Sequence, residues 1–180
     1  MGGGPAFLGE LPDYLDFNLK ILFVGYNPGE RSASLGNHYA GRGNQFWRLL
    51  YDAGLTGRLY LPAEDRLLPA LGYGLTNLAA RPSRSSSDLS GPEKREGAGE
   101  LRGKVSLYRP EVVCLLGKEV YRCYAGKKAG EPVQYGPASG QGVCDGVKDF
   151  IAPNPSGRST VPYSQKLFFF RMLKDMASIL

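Results

Sequence analysis

The sequence has few of the residues that support disulfide, metal or imidazole chemistry. Its 180 residues include three cysteines, Cys114, Cys123 and Cys144, and one histidine, His38. The cysteines are odd in number, far apart and never in a Cys-x-x-Cys pair, which disfavours a disulfide framework, a zinc site and an iron–sulfur cluster. A mechanism that needs two imidazoles is excluded. We therefore expect no metal and no cofactor, and a reducing compartment such as the bacterial cytoplasm or its equivalent.

Long apolar runs are also missing. No stretch approaches the ~18 residues that cross a bilayer, and the first residues match neither a secretion signal nor a myristoylation site. We therefore expect no membrane partner.

Acidic residues are fewer than basic ones. The chain has 22 lysines and arginines and 17 aspartates and glutamates, which gives a net charge of +5. Such a balance favours a polyanionic partner, nucleic acid above all.

What is present suffices for one folded domain. Hydrophobic residues make up 42% of the chain and aromatic residues 11%. The 25 glycines and 13 prolines stay below the range typical of disorder. A chain of this length buries roughly 70% of its unfolded surface. We predict a flexible arm over residues 1–18, a single domain over residues 19–180, and a monomer.

Apolar runs and helix signals alternate along the chain. The predicted strands are Leu19–Val24, Gly74–Leu78, Val112–Leu116 and Phe150–Ala152. The predicted helices begin near Asn44, Pro62, Ser90, Lys118 and Tyr163, whereas residues 26–43 read as a loop. The last helix carries an apolar stripe through Leu167, Phe170, Leu173, Met176 or Ala177, and Leu180. This order predicts an α/β fold, a three-layer αβα sandwich with a mostly parallel four-stranded sheet.

Two of the strand ends carry the same dipeptide. Asn27-Pro28 follows the first strand and Asn154-Pro155 follows the fourth. Proline holds the preceding asparagine in extended geometry, so each amide sits on a stiff loop where ligands of such sheets bind. Either motif alone is ordinary turn chemistry. Their paired placement favours two neutral amides that face one ligand.

Five segments, in order and at similar spacing, carry a resemblance that runs from about Leu19 to the end of the chain. They are Gly25-Tyr26-Asn27-Pro28-Gly29, Gly36-Asn37-His38-Tyr39-Ala40, Asn44-Gln45-Phe46-Trp47-Arg48, Leu115-Leu116-Gly117-Lys118 and Asn154-Pro155-Ser156-Gly157. Together they resemble the mismatch-specific uracil/thymine-DNA glycosylase family. That likeness implies a uracil-DNA glycosylase-like fold and hydrolysis, without metal, of the N-glycosidic bond of uracil mispaired with guanine in duplex DNA. Ethenocytosine and thymine are further candidate bases.

The resemblance also implies roles for residues of the first half. Asn27 would position the attacking water through its amide oxygen. Tyr39 would stack on the extruded base, and Tyr26, Gly29 and Asn77 would join it in base binding. The alternatives are that Asn27 caps its own turn and that Tyr39 is a loop anchor packed on the core.

In the second half the resemblance implies a DNA wedge. This insertion loop comprises Asn154, Pro155, Ser156, Gly157, Arg158 and Ser159, and it would fill the gap left by the extruded nucleotide. Arg158 stands where bacterial relatives carry leucine, so it would hydrogen-bond guanine or phosphate rather than plug the gap with apolar atoms. The alternative is a solvated surface arginine.

Further residues follow from the sequence itself. Asp88 lies in a serine-rich loop beyond a strand end, where a carboxylate could strengthen water activation. It could equally cap the next helix. Candidate phosphate contacts, each otherwise a solvated surface charge, are Arg42, Arg81, Arg84 and Lys118.

Two other functions remain open at this stage. One is a DNA- or nucleotide-binding module on the same fold that has no catalytic turnover. The other is an esterase with Ser156 as its nucleophile. That serine lacks the Gly-x-Ser-x-Gly elbow, and His38 is its only imidazole partner in the chain.

Overall fold

The computed structural model describes residues 9–178 and contains a five-stranded sheet in the order β2-β1-β3-β5-β4. Its strands are β1 (Ile21–Gly25), β2 (Tyr73–Asn77), β3 (Val112–Leu116), β4 (Gly136–Pro137) and β5 (Lys148–Ala152). The pairs β1–β2, β1–β3 and β3–β5 are parallel. Four carboxyl ends therefore meet at one edge of the sheet.

Helices cover both faces of this sheet. They are α1 (Glu30–Leu35), α2 (Phe46–Asp52), α3 (Gly91–Tyr108), α4 (Lys118–Ala125) and α5 (Tyr163–Ser178), with 3₁₀ segments at Pro62–Leu71 and Ser86–Asp88. Alternate strand residues enter two cores. Phe23 packs with α2 and α5, whereas Leu22 packs with α3 and α4. The predicted three-layer α/β sandwich is confirmed.

The central strands are apolar throughout because both of their faces are covered. All five residues of β1 and of β3 are buried. Apolar runs of this kind are typical of parallel sheets between helix layers. In α5 the predicted stripe is confirmed at Phe170 and Leu173, which are fully buried. Its last predicted member, Leu180, lies outside the described residues.

Helix α3 begins at a capping box that the sequence predicts. Ser90 Oγ accepts a hydrogen bond from Glu93 N, and Glu93 Oε2 accepts one from Ser90 N. Arg81 adds a forked ion pair to the same carboxylate, with contacts of 2.6 and 3.2 Å. These donors lower the pKa of Glu93 to about 2, the Arg81 hydrogen bond having the largest effect. The loop before α3 is therefore bound to the first turn of that helix through Arg81 and Glu93.

Two local predictions need correction. The sheet has a fifth strand, β4, which is antiparallel to β5 at the edge. Two residues of sequence Gly-Pro carry no strand signal, and Pro137 is tolerated because edge strands need fewer N–H donors. The segment predicted as a loop over residues 26–43 contains α1. Leu35 of that helix is exposed, so its six residues show no apolar stripe.

The arm predicted over residues 1–18 is attached where the structure describes it; residues 1–8 lie outside the described range. Tyr14 exchanges two backbone hydrogen bonds with Leu75 of β2. Asp13 accepts a hydrogen bond from Thr76 Oγ1 and forms an ion pair with Lys104. The structure therefore joins the end of the arm to β2 and α3.

Two glycines of α3 provide a matched test of the packing between α3 and the sheet. A Cβ atom on Gly97 would lie 2.1 Å from the backbone oxygen of Leu78, whereas a Cβ atom on Gly99 meets nothing within 4 Å. We expect Gly97→Ala to lower the free energy of unfolding by about 1–3 kcal/mol or more. Gly99→Ala should raise it by about 0.5–1 kcal/mol, because alanine favours the helix. Urea unfolding measures both, and equal effects would contradict the close approach of α3 to Leu78.

Candidate functional site

The candidate site lies at the edge where the four parallel strands end. Loops leave this edge after Gly25, Asn77, Leu116 and Ala152. Strand β3 separates β1 from β5, which puts their ends about 10 Å apart at ordinary strand spacing. A Cβ atom on Gly117, just after β3, would lie 3.9 Å from Asn154 Cβ. Both Asn-Pro loops therefore emerge on the same face, as the sequence predicts.

Asn27 is held rigidly by the loop that follows β2. Its Nδ2 donates to the backbone oxygen of Arg81 at 2.9 Å and to Ser83 Oγ at 2.7 Å. A carbonyl oxygen can only accept, so this contact fixes which end of the amide is nitrogen. Both hydrogens of the amide are used. Its oxygen, which accepts no hydrogen bond from residues 9–178, remains available to a water or ligand.

Ser83 helps to hold the Asn27 amide in this orientation. It is 9% exposed, and its hydroxyl donates to the backbone oxygen of Ser85 at 2.6 Å while it accepts from Asn27. The backbone of Ser83 also donates to Pro28 O. The serine-rich loop and the first Asn-Pro loop are thus joined by side chain and backbone. Sequence reasoning missed Ser83, because nothing distinguishes it from the neighbouring serines.

The space between the loops that follow β1, β2 and β5 is called the crevice below. Three residues meet at its base: Gly25, Asn77 and Tyr39. A Cβ atom on Gly25 would lie 2.5 Å from Asn77 Oδ1 and 3.2 Å from the Tyr39 hydroxyl. The space that any larger residue needs at this point is already occupied by two polar groups. The structure therefore brings together two predicted base-binding residues from different loops.

Tyr39 combines features of both roles considered for it. One face of its ring stacks on buried Phe46, with centroids 4.0 Å apart, as a core anchor would. Its φ of 55° lies in the left-handed region, which costs a non-glycine residue about 1–2 kcal/mol. Its hydroxyl is buried without a partner among the described residues. Burial raises the pKa of this phenol, so it stays protonated and able to donate.

Tyr26 and Gly29 serve the first loop mainly through their backbone. Tyr26 O accepts from Ala79 N, and the Tyr26 ring packs against the α3–α4 core. Burial is the main cause of the raised pKa of its hydroxyl, and the neighbouring Cys123 thiol raises it further. Gly29 caps α1, and a Cβ atom there would meet nothing within 4 Å.

The insertion loop is stiffened from within. Asn154 Oδ1 accepts from Ser156 N at 2.8 Å, and Ser156 Oγ accepts from Arg158 N at 3.2 Å. Ser156 O accepts from Ser159 N. Pro155 is buried, whereas Gly157 and Arg158 form an exposed tip. The amide oxygen of Asn154 therefore accepts a hydrogen bond within its own turn, in contrast to the amide oxygen of Asn27.

Arg158 spans the crevice. Its Nη1 donates to the backbone oxygen of Arg84 at 3.0 Å, although the strands that precede these two loops are at opposite ends of the parallel part of the sheet. The contact links the tip of the insertion loop to the serine-rich loop that holds Asn27. An exposed hydrogen bond of this kind contributes little stability, so a ligand that enters the crevice can replace it.

Asp88 lies in the same serine-rich loop, where it acts as a cap. Its Oδ2 accepts from Ser85 N at 3.1 Å, closing the 3₁₀ turn Ser86–Asp88, and the side chain is exposed. The next helix is capped by Ser90 instead. The Asp88 carboxylate thus connects to Asn27 through Ser85 and Ser83, and the Asp88 backbone oxygen connects to it through Arg81.

The four predicted phosphate contacts have different surroundings. Arg81 is engaged by Glu93, and Arg84 forms an exposed ion pair with Glu30. Lys118 lies over the ring of Tyr135, with Nζ 4.6 Å from the centroid. Arg42 is exposed, and no carboxylate within residues 9–178 pairs with it. Arg42 and Lys118 are thus the two members of this set that no carboxylate within residues 9–178 pairs with, and Lys118 alone of the two contacts an aromatic ring.

The described cavities lie beside or away from this edge. A cavity of about 320 Å³ contacts Pro28 and Asn77. Its lining includes the Asp13–Lys104 ion pair and two further carboxylates, Glu10 and Glu100, which disfavour a phosphate there. Another of about 540 Å³ lies near Lys148 at the start of β5, hence at the opposite edge. The loops that follow the parallel strands define the candidate site.

Metal and esterase chemistry find no support in the described part of the chain. Residues 9–178 contain no group of three or more His, Cys, Asp or Glu side chains placed to hold a metal ion. His38 is buried, its Nε2 lies 2.8 Å from Pro12 O, and burial lowers its pKa. No contact within this range joins it to Ser156. In the same range, no helix is long and apolar enough to cross a bilayer.

Two more residues contact the insertion loop and escaped sequence reasoning. Lys166 Nζ donates to Gln45 Oε1 at 2.8 Å and to Ser156 O at 3.2 Å. Lys166 precedes Phe170 and Leu173 by four and seven residues on the buried stripe of α5. A cation at a core-facing helical position was the available signal.

Comparisons with known proteins agree with this geometry. A mismatch-specific enzyme of Schizosaccharomyces pombe, named G/U mismatch-specific uracil DNA glycosylase, is 39% identical over 139 residues, which are 73% of this chain. The chain spans 43% of that relative's length. The solution structure of a proposed uracil DNA glycosylase from Methanosarcina acetivorans shares the fold, with a TM-score of 0.55 at 21% identity over 93% of this chain and 98% of the other. The sequence profile of the uracil DNA glycosylase superfamily matches residues 12–177, and the chain belongs to that superfamily.

Proposed function

We propose that this protein is a monofunctional DNA glycosylase that removes uracil mispaired with guanine from duplex DNA in base excision repair. The observation that carries the proposal is the clamped amide of Asn27, which leaves one oriented acceptor at the strand ends. The named activity of the yeast relative supports the same substrate. Monofunctional means that water attacks the sugar and that no lysine forms a Schiff base.

The chemistry requires little more than orientation. As the glycosidic bond breaks, positive charge develops on the sugar and negative charge on the leaving base. Asn27 Oδ1 would accept a hydrogen bond from the water and direct its lone pair to the sugar carbon. An amide cannot take the proton as a carboxylate does, so the step should be slow.

Base extrusion would supply the selectivity. Rotating a nucleotide out of the stack costs a few kcal/mol, and least for a mispaired base. Tyr39, Asn77 and the backbone near Gly29 would receive the base, and Arg158 at the exposed tip would enter the duplex. To do so, Arg158 would exchange Arg84 O for guanine or phosphate. We propose ethenocytosine and thymine as further substrates.

The protein should work alone and without added ions. We propose that it acts as a monomer in a reducing compartment, since Cys114, Cys123 and Cys144 are all free thiols. No cofactor enters the proposed step. Arg42 and Arg158 would supply phosphate and guanine contacts, while Arg81 acts mainly to hold the loop that orients Asn27.

An excision assay separates the proposal from a binding module. The protein is incubated with end-labelled G·U duplex in chelator, and abasic sites are then cleaved with alkali. We expect breaks at the uracil position, none in a matched G·C duplex, and no covalent adduct after borohydride treatment. Retention of the duplex without breaks would identify a non-catalytic module. A borohydride-trapped adduct would contradict water attack.

Removal of the Asn27 amide should lower the rate of base excision but leave the affinity for DNA nearly unchanged. We expect Asn27→Ala to lower the single-turnover excision rate by roughly 10²-fold or more, with little change in the Kd for G·U duplex, because the lost contact belongs to the transition state. Ser83→Ala should have a smaller effect of the same kind, since one of the two Nδ2 acceptors remains. Quench-flow rates and fluorescence anisotropy measure the two quantities. A wild-type rate in Asn27→Ala would remove Asn27 from the mechanism.

Two variants distinguish the negative charge of Asp88 from its role as a cap of the Ser86–Asp88 turn. Asp88→Asn keeps an oxygen that can accept from Ser85 N, whereas Asp88→Ala does not. We expect a near-wild-type excision rate for the asparagine variant and a several-fold lower rate for the alanine variant, at unchanged Tm. If both variants are equally slow, the negative charge itself contributes to water activation and Asp88 is catalytic, as the sequence suggested.

Arg158 should govern the choice of the opposite base. A side chain that hydrogen-bonds guanine discriminates by about 1–3 kcal/mol, which is roughly 10- to 100-fold in rate. We expect Arg158→Ala to reduce the ratio of excision rates for uracil opposite guanine and opposite adenine by that factor. Arg42→Ala is the matched control, because it removes an equal charge and should weaken both substrates alike. An unchanged ratio in Arg158→Ala would refute guanine reading.

A further inference from the structure

Lys166 is a buried cation with no carboxylate beside it. Its residue is 1% exposed, on the stripe of α5 that otherwise packs Phe170 and Leu173 into the core. Burial lowers its pKa. Among the described residues no ion pair involves it, and its ammonium group is satisfied by two neutral oxygens. A buried charge costs several kcal/mol unless it is well paired, so hydrophobic residues would serve stability better at this position.

The two oxygens belong to different segments of the candidate site. Gln45 precedes α2 and follows the segment that contains Tyr39 and Arg42. Ser156 belongs to the insertion loop over residues 154–159. Lys166 donates to the side-chain oxygen of Gln45 and to the backbone oxygen of Ser156, so one ammonium group ties both segments to α5.

Two further contacts strengthen this connection. Gln45 N donates to Pro155 O at 2.9 Å. A Cβ atom on Gly157 would lie 2.8 Å from Gly43 O, so the two backbones touch. The segment 43–45 and the insertion loop therefore behave as one body, with Lys166 beneath it.

We propose that Lys166 is a positioning residue that couples entry of the insertion loop into the duplex to capture of the extruded base by the Tyr39 segment. This rests on the proposed function and deepens it. Without the lysine, residues 43–45 would keep their backbone contacts with the insertion loop, but both segments would lose their anchor on α5. Entry of the loop would then no longer hold the Tyr39 segment against the extruded base, and the base would return to the stack. A lysine suits the role because its three donors can bond two oxygens at once, and charged donors form the stronger hydrogen bonds.

The test compares two substrates that differ in the free energy needed to rotate the uracil out of the duplex. One is a duplex with uracil opposite guanine, and the other has uracil opposite a tetrahydrofuran abasic analogue, where no base pair must open. The variants are Lys166→Met and Gln45→Leu, with Lys148→Met as the control of equal charge and shape. Lys148 is exposed at the opposite edge of the sheet. Single-turnover excision is measured beside the fluorescence of 2-aminopurine placed next to the uracil, which reports extrusion directly.

We expect Lys166→Met to lower excision opposite guanine by roughly 10- to 100-fold and to diminish the 2-aminopurine signal. Excision opposite the abasic analogue should fall by less than about 3-fold, and Lys148→Met should match the wild type on both substrates. Gln45→Leu should show the same pattern, and the double variant should be no slower than Lys166→Met alone, because both residues act through one connection.

Other results would overturn the coupling. Equal losses on both substrates would assign Lys166 to chemistry or to general stability, and unchanged rates would assign it no role in extrusion. If Lys166→Met fails to fold, Gln45→Leu decides, since it keeps the Gln45 N to Pro155 O bond. A wild-type protein that excises uracil from neither substrate would refute the proposed function itself.

Discussion

The parallel register of four strands is the constraint on which the site depends. Because β2, β1, β3 and β5 run in one direction, their carboxyl ends share an edge, and residues as distant in sequence as Asn27, Asn77 and Asn154 follow those ends. Parallel pairing is kept by helix layers on both faces, since the strands bury side chains in both directions. The two cores are thus what hold the functional loops together.

On this frame, the polar groups of the site are fixed mainly by neutral backbone and side-chain partners, with Lys166 as the charged exception. Asn27 is clamped by Arg81 O and Ser83, Asn154 by its own turn, and the insertion loop by Lys166 and Gln45. Backbone partners do not titrate and move little, so the geometry is ready before a ligand arrives. The exception is the hydroxyl of Tyr39, buried without a partner among the described residues. Unsatisfied donors of that kind are uncommon, and the Tyr39 hydroxyl lies beside Asn77.

In the proposed reaction, the neutral acceptor Asn27 and the charged groups around it would have different tasks. The net charge of +5 favours DNA, yet Arg81 and Arg84 are compensated by Glu93 and Glu30. Affinity would therefore come from a few uncompensated groups such as Arg42. Turnover would come from orientation of water by an amide that cannot become a strong base. Such an enzyme trades speed for selectivity, because a slow step gives correctly paired nucleotides time to return to the stack.

The sequence by itself determined the three-layer fold, the apolar strands, the capping box at Ser90 and the placement of both Asn-Pro loops. These features depend on short-range patterns that can be read from the sequence: the spacing of apolar residues, the backbone restriction before proline and the residues of a helix cap. Only the tertiary structure decided that Asn154 bonds its own turn, that Asp88 caps Ser85, and that Ser83, Gln45 and Lys166 belong to the site. Contacts between residues far apart in the chain, such as Asn27 with Ser83 and Lys166 with Gln45, leave no periodic trace in a sequence. A side chain such as Asn154 or Asp88 can bond either its own turn or a ligand, and the packing of the whole domain decides which.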